Sequence, residues 1–166
     1  PLLQTLKDLE RRGVPGRILT TDYLSFSDPV ALDTIANLSN IELRMYQTER
    51  AGNGFHTKGY IFQKSEEYRF IIGSSNLTQD ALTRNMEWNT KLVSTNKGEM
   101  VNSVLAEFEK LWNATEYTKP YADFIEEYRR KYEEKQLFNK MVAEQKRIAK
   151  SEAVPSVEAY TLQPNS

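Results

Sequence analysis

The chain has 166 residues, carries 22 Lys and Arg against 23 Asp and Glu, and contains no cysteine. Its length fits one domain of ordinary size, with room for a hydrophobic core and a helical appendage. The lack of cysteine excludes thiol nucleophiles, zinc-thiolate sites and disulfides, and the balanced charge means that any nucleic-acid contact must come from a local patch. Since no stretch is apolar enough to span a membrane and no signal segment opens the chain, we expect a cytoplasmic protein without a membrane partner.

The first part of the chain predicts helix, strand, helix and strand in that order. Leucines recur at helical spacing over residues 2–12, and a β-leaning segment follows over residues 16–24. A Ser-Asp-Pro sequence comes next, in which Ser27 or Asp28 can cap a second helix. Residues 41–47 alternate apolar and polar side chains, which indicates a strand.

The middle of the chain predicts strands joined by short connections. A glycine-bearing loop over residues 49–56 precedes two strands that a polar turn joins, and this pattern is typical of a hairpin. The further elements are, in order, strands at 58–62 and 68–76, a short helix at 77–85, a strand at 86–95 and an amphipathic helix at 99–113. The mixture predicts an α/β fold with a mixed β-sheet flanked by helices.

The C-terminal part of the chain has a different character. Over residues 119–150, apolar side chains recur at helical spacing among dense charges, which predicts one or two long helices. Between residues 129 and 150, eight Lys or Arg stand against three Glu. These charges form either a solvated helix face or a face that contacts phosphates. We therefore expect a domain at 1–118, a helical extension at 119–150 and a linker at 151–166.

A group of polar residues around the only histidine, His56, suits phosphodiester chemistry. Without a metal, that chemistry needs a nucleophile, an acid, and cations or hydrogen-bond donors for the phosphoryl oxygens. Lys58 lies two positions along the same strand and projects from the same face. The turn that ends the paired strand would bring Ser74 and Asn76 close to it, and Glu87 could orient the imidazole.

This pattern resembles the phospholipase D superfamily. Its signature is His-x-Lys, a downstream Asp and Gly-Ser-x-Asn, and the chain has "HTK", "GSSN" and a Glu eleven residues later. The run "GSSNLTQDALTRNMEWN" is similar to the phospholipase-D-like domain that precedes the helicase core in some bacterial superfamily 2 helicases. The resemblance covers about residues 17–112. The family's Asp would fall at about position 63, where this chain has Gln63.

The resemblance implies a mechanism and a set of site residues. A histidine attacks phosphorus to form a phosphohistidine and a second histidine protonates the leaving oxygen, with no metal or other cofactor. His56 would be the nucleophile or the acid, with Lys58 and Asn76 holding the phosphate. Ser74 would be an additional phosphate contact, and Glu87 would orient the histidine.

Since the chain has one histidine, the resemblance also implies a homodimer in which two copies of the motif share one cleft. The C-terminal "LQPNS" resembles the segment ahead of such helicase cores, and the chain starts without a methionine, so we expect part of a longer, ATP-dependent helicase that acts on DNA. A phosphate loop for ATP does not occur in these 166 residues.

Three functions stay open at this point. The first is a metal-independent phosphodiesterase of the nuclease type, and the second is a non-catalytic domain for nucleic-acid binding or dimerisation. The third is an enzyme that acts on phospholipids. The strand aromatics could stack on bases or pack within the protein, and packing is the commoner role; they are Tyr60, Phe62, Tyr68, Phe70 and Trp88.

Overall fold

The structure is a computed structural model that describes residues 2–52, 54, 58–73 and 89–152. Its helices are α1 (Leu2–Arg11), α2 (Pro29–Ala36), α3 (Thr48–Ala51), α4 (Glu99–Trp112) and α5 (Tyr121–Glu152), with a 3₁₀ turn at Tyr23–Ser25. Its strands are β1 (Gly16–Thr21), β2 (Ile41–Tyr46), β3 (Gly59–Lys64), β4 (Glu67–Gly73), β5 (Asn89–Thr95) and β6 (Thr118–Pro120).

The strands form two small sheets flanked by helices, which confirms the predicted α/β class. In the first sheet, β2 pairs in parallel with β1 and antiparallel with β6. The second sheet is the antiparallel series β3–β4–β5, in which β3 and β4 form the predicted hairpin. The first sheet is thus mixed, as the pattern predicted, and the described strands divide between it and the antiparallel second sheet.

Two local predictions were incomplete. The segment over residues 48–51 is a short helix rather than a loop, and Gly52 ends it with a left-handed backbone (φ 67°) that glycine adopts without strain. The short strand β6 was not anticipated. By contrast, Asp28 caps α2 as expected, because its carboxylate accepts a hydrogen bond from the Val30 amide over 3.1 Å.

A hydrophobic core fills the space between the first sheet, α2 and the beginning of α5. The aromatic ring of Phe124 meets the rings of Tyr121 and Tyr128 edge-on. Each fully buried side chain of this kind stabilises the fold by roughly 1.5–3 kcal/mol. The first turns of α5 therefore share one core with the strands before them; its buried members are Leu32, Leu43, Met45, Phe124, Ile125 and Tyr128.

Polar contacts tie α2 and its preceding loop to α5. Asp33 accepts a hydrogen bond from the Tyr121 hydroxyl at 2.6 Å and two from the Arg129 guanidinium at 3.0 and 2.9 Å. These bonds hold the pKa of the Asp33 carboxyl below its usual value, and the bond from Tyr121 has the largest effect. The Tyr128 hydroxyl donates to the Ser27 carbonyl at 2.7 Å, and burial raises the pKa of Tyr128 to about 12.

Two arginines fasten α4 to the first sheet. The Arg17 guanidinium of β1 donates to both carboxylate oxygens of Glu109, at 3.1 and 2.5 Å. Arg44 of β2 lies over the ring of Trp112, 4.5 Å from its centroid, and donates to the Trp112 carbonyl at 3.0 Å. The indole is therefore held by packing and by a cation contact at once.

The sequence predicted one or two long helices over residues 119–150, and α5 is one continuous helix. Beyond the core its apolar side chains are largely exposed, and they include Leu137, Phe138, Met141 and Ile148. No helix among the described residues combines the length and the apolar composition that crossing a membrane requires.

Candidate active site

One edge of the second sheet gathers the described parts of the predicted motif. The Gly73 amide donates a hydrogen bond to the Lys58 carbonyl over 3.2 Å, and Gly73 lies opposite Asn89 in the ladder between β4 and β5. The beginning of β3, the end of β4 and the beginning of β5 therefore meet at one place. We call this place, defined by Lys58, Gly73 and Asn89, the site edge.

Among the predicted site residues, the structure describes Lys58, which is half-buried at the site edge. His56, Ser74, Asn76 and Glu87 lie outside the described residues, so their predicted roles stay predictions. In the sequence, His56 is two positions from Lys58, Ser74 follows Gly73 directly, and Glu87 is two positions before Asn89.

The register that forms the site edge is set at the other end of the hairpin. Lys64 and Glu67 are paired residues, so Ser65 and Glu66 alone connect the strands. Ser65 adopts a left-handed backbone (φ 54°), which is the conformation that two-residue hairpin turns require. A slip of one residue would move every side chain to the opposite face, so this turn fixes which residue lies opposite Lys58.

The same turn region holds Gln63, which stands where the family signature has Asp. Its amide nitrogen donates to the Ser65 carbonyl at 3.3 Å, and the side chain is exposed. Gln63 is five residues along the hairpin from Lys58, or about 17 Å at the rise of a β-strand. The departure from the signature therefore does not remove a charge from the site edge.

The two faces of the second sheet differ in burial. On one face Phe70 is 1% exposed, and its ring stacks on that of Tyr68 with centroids 6.2 Å apart. On the other face Phe62 is 54% exposed and Val93 is 57% exposed. We call this second side the open face; its residues are Lys58, Tyr60, Phe62, Lys64, Glu67, Arg69, Ile71, Lys91, Val93 and Thr95.

A groove of about 390 Å³ lies on the open face, and its walls include Phe62, Arg69, Ile71 and Lys91. Phe70 thus has the packing role expected for a strand aromatic, whereas the ring of Phe62 faces solvent. Sequence reasoning did not single out Arg69 or Lys91. The alternation of β4 and β5 placed them on one face with Phe62, but did not reveal which face would be uncovered.

Acidic side chains do not gather anywhere in the described part of the chain as they would around a metal ion. Arg69 bonds to Glu67 at 2.7 Å, so the one described carboxylate of the open face is already engaged by a cation. The described charges at this sheet are thus suited to an anionic ligand.

Comparison with known families gives a match for this chain. A family model described as "Cardiolipin synthase, PLD-like domain" matches residues 1–112, which is about two thirds of the chain. The match ends where α4 ends. No curated protein matches the chain closely enough to serve as a relative. The resemblance to helicases stays a prediction. The predicted superfamily is confirmed, and the chain belongs to the phospholipase-D-like family that this model describes.

Proposed function

We propose that the chain is a metal-independent phosphodiesterase domain of the nuclease type, with His56 at its chemical centre. The observation that carries the proposal is the meeting of Lys58, Gly73 and Asn89 at the site edge. Lys58 is itself a predicted site residue, and Gly73 and Asn89 are close in sequence to the predicted site residues Ser74 and Glu87. Family membership adds that such an edge belongs to a phosphodiester-processing fold.

The proposed reaction has two steps. In the first step an imidazole nitrogen of His56 attacks phosphorus, a phosphorus–nitrogen bond forms, and the bond to the leaving oxygen breaks. A second imidazole gives its proton to that oxygen. In the second step water attacks phosphorus, passes a proton back to the second imidazole, and releases His56 as the phosphorus–nitrogen bond breaks.

The other residues would act on charge and orientation. Lys58 and Asn76 would hold the non-bridging oxygens, where negative charge is greatest in the transition state, and Ser74 would add a hydrogen bond. Glu87 would accept a hydrogen bond from one imidazole nitrogen and so keep the other available for attack. No metal has a place in this scheme.

The second imidazole would come from a second copy of the chain. A two-fold axis through the site edge would bring two His56 side chains across one cleft, since the chain has a single histidine. We propose a homodimer for this reason. We further propose that the domain belongs to a DNA helicase and acts on DNA, which rests on the sequence resemblance alone.

A second candidate function is a non-catalytic domain for nucleic-acid binding or dimerisation. The observation that favours it is Gln63, which departs from the family signature. Its position near the hairpin turn, about 17 Å from Lys58 at the strand rise, weakens this argument because that end of the hairpin is remote from the site edge.

Turnover of a small diester separates the two functions. The catalytic proposal expects hydrolysis of bis(p-nitrophenyl) phosphate in the presence of EDTA, and loss of this activity in His56→Ala. Circular dichroism and thermal unfolding of the variant should match the wild type. A folded wild-type dimer that binds DNA in a salt-dependent manner without turning over the diester would establish the second function instead.

A further inference from the structure

We propose that the open face of the β3–β4–β5 sheet binds single-stranded nucleic acid and leads it to the site edge. The inference rests on the proposed function for its endpoint, because it takes Lys58 as a phosphate contact. It adds the substrate class and the surface that recognises it.

The first argument is the arrangement of side chains in rows across the sheet. Tyr60, Ile71 and Lys91 lie side by side in one row, and the next row brings Phe62 and Arg69 together with Val93. Successive rows are about 7 Å apart, since each is two strand residues further along. Each of these two rows thus holds one aromatic ring and one cation, and the row before them begins with Lys58.

The exposed ring of Phe62 is the second argument. A phenylalanine that is 54% exposed has solvent on much of its surface, and Val93, across the sheet in the same row, is also exposed. Aromatic side chains on an open sheet face stack on unpaired bases of any sequence. The groove beside this ring, of about 390 Å³, has apolar and cationic side chains in its walls, and the Glu67 carboxylate that also lines it is bonded to Arg69.

The open face also carries positive charge. The side chains of Lys64 and Lys91 make no ion pair with any described residue, and both are exposed. Arg69 keeps one bond to Glu67 through its Nε atom, and its guanidinium lies beside the groove. A cation in the same row as an aromatic ring complements a strand in which each base is joined to a phosphate.

These features favour a single strand over a duplex. In a duplex the base faces are stacked on one another and cannot reach Phe62, whereas in a single strand they can. An acidic protein would satisfy the cations but would leave the rings of Tyr60 and Phe62 without a planar partner. A second copy of the chain would bring the same cations face to face.

Binding of a fluorescein-labelled fifteen-residue oligothymidylate, followed by anisotropy, tests the inference. All proteins compared carry His56→Ala as well, because this background leaves the strand uncleaved. Phe62→Ala should weaken binding by about tenfold or more, with Phe62→Leu intermediate because it retains apolar area without a ring. Lys91→Ala should weaken binding and reduce the slope of log affinity against log salt by about 0.7, the value for one phosphate contact. Lys7→Ala on α1 and Phe138→Ala on α5 are matched controls for an exposed lysine and an exposed phenylalanine.

The inference is overturned if the protein with His56→Ala alone does not bind the oligonucleotide, or if adding Phe62→Ala or Lys91→Ala leaves its binding unchanged. It is also overturned if sedimentation shows that Phe62→Ala turns a dimer into a monomer, because the face would then be an interface between copies. Stronger binding to a duplex of the same length has the same consequence.

The inference and the proposed function fail separately. Wild type that hydrolyses bis(p-nitrophenyl) phosphate without binding the oligonucleotide contradicts the open face alone. Wild type that binds the oligonucleotide in a manner dependent on Phe62, without hydrolysing either compound, contradicts the phosphodiesterase alone.

Discussion

The Gly73 amide donates to the Lys58 carbonyl over 3.2 Å, which joins the two halves of the sequence motif across one hairpin. The bond fixes where the backbone of β3 begins relative to the end of β4. Because Gly73 also lies opposite Asn89, the third strand begins at the same edge. The proposed active site depends on this meeting of three chain segments.

Replacing Lys58 tests the phosphate-binding role of the site edge. We expect Lys58→Ala to lower kcat for bis(p-nitrophenyl) phosphate by about 100-fold or more, since a cation aimed at developing charge contributes at that scale. Lys58→Arg should recover part of the rate. Lys97→Ala, an exposed lysine beyond the other end of β5, should turn over as the wild type does. An unchanged kcat in Lys58→Ala would remove Lys58 from the site.

Mixing wild type with His56→Ala tests whether two copies share one cleft. After subunit exchange, a site that needs two histidines is active only in wild-type pairs, so activity should fall as the square of the wild-type fraction. Independent sites would give a linear decline. Analytical ultracentrifugation of the same mixtures should show a dimer throughout, and a monomer at micromolar concentration would contradict the shared cleft.

The acid side of the stability curve should depend on Asp33. The bonds from Tyr121 and Arg129 lower the pKa of this carboxyl, so its contribution is present above its unfolded pKa and is lost as pH falls through the folded one. Asp33→Asn should lower the free energy of unfolding at pH 7 by about 1 kcal/mol or more and flatten the acid decline. Urea titrations from pH 7 to pH 2 measure both effects.

The matched control for Asp33 is Glu133→Gln, which changes an exposed carboxyl on α5 to its amide. It should leave the free energy of unfolding within about 0.5 kcal/mol of the wild type, as surface substitutions usually do. Equal losses in the two variants would show that the contacts of Asp33 do not stabilise the fold.

The alkaline side should depend on Tyr128. Its folded pKa of about 12 exceeds the usual value near 10, so its contribution is complete below pH 10 and is lost as pH rises through 12. Two units correspond to roughly 2–3 kcal/mol. Tyr128→Phe should lose the bond to the Ser27 carbonyl, costing about 1 kcal/mol at pH 7, and should resist alkali better than the wild type.

Tyr132→Phe serves as the comparison for Tyr128, because it removes a hydroxyl from the next aromatic along α5 and keeps the ring. Unfolding followed by circular dichroism between pH 8 and pH 12 should show an alkaline decline in this variant like that of the wild type. If the Tyr128→Phe variant declines in the same way, the buried hydroxyl is not the group that titrates.

The sequence predicted those parts of the fold that short-range patterns determine. The cap at Asp28, the hairpin turn at Ser65 and the apolar stripe of α4 depend on residues within a few positions of one another, and all three occur. The strand Thr118–Pro120 was not predicted, because three residues ending in proline become a strand only through pairing with β2. Tertiary contacts supply that information.

The candidate site also has features that short-range patterns predict and features that depend on tertiary contacts. The predicted hairpin was expected to bring the turn that starts at Gly73 close to Lys58, and the Gly73 amide does bond to the Lys58 carbonyl, because a two-residue hairpin turn leaves one register. The exposure of Phe62 could not be predicted in this way. Apolar and polar positions on β3 do not alternate cleanly, so the pattern did not reveal which face the rest of the protein covers.

The proposed mechanism requires that His56 forms a covalent bond to phosphorus. A direct test is to quench the reaction with bis(p-nitrophenyl) phosphate in alkali during turnover, digest the protein, and locate the p-nitrophenyl phosphoryl group by mass spectrometry. Because the chain has one histidine, a phosphoryl–imidazole bond can form only at His56. We expect the group on the peptide that contains His56, in the presence of EDTA, and its loss in His56→Ala. Turnover that persists in His56→Ala, or a folded wild-type protein with no turnover, would contradict it.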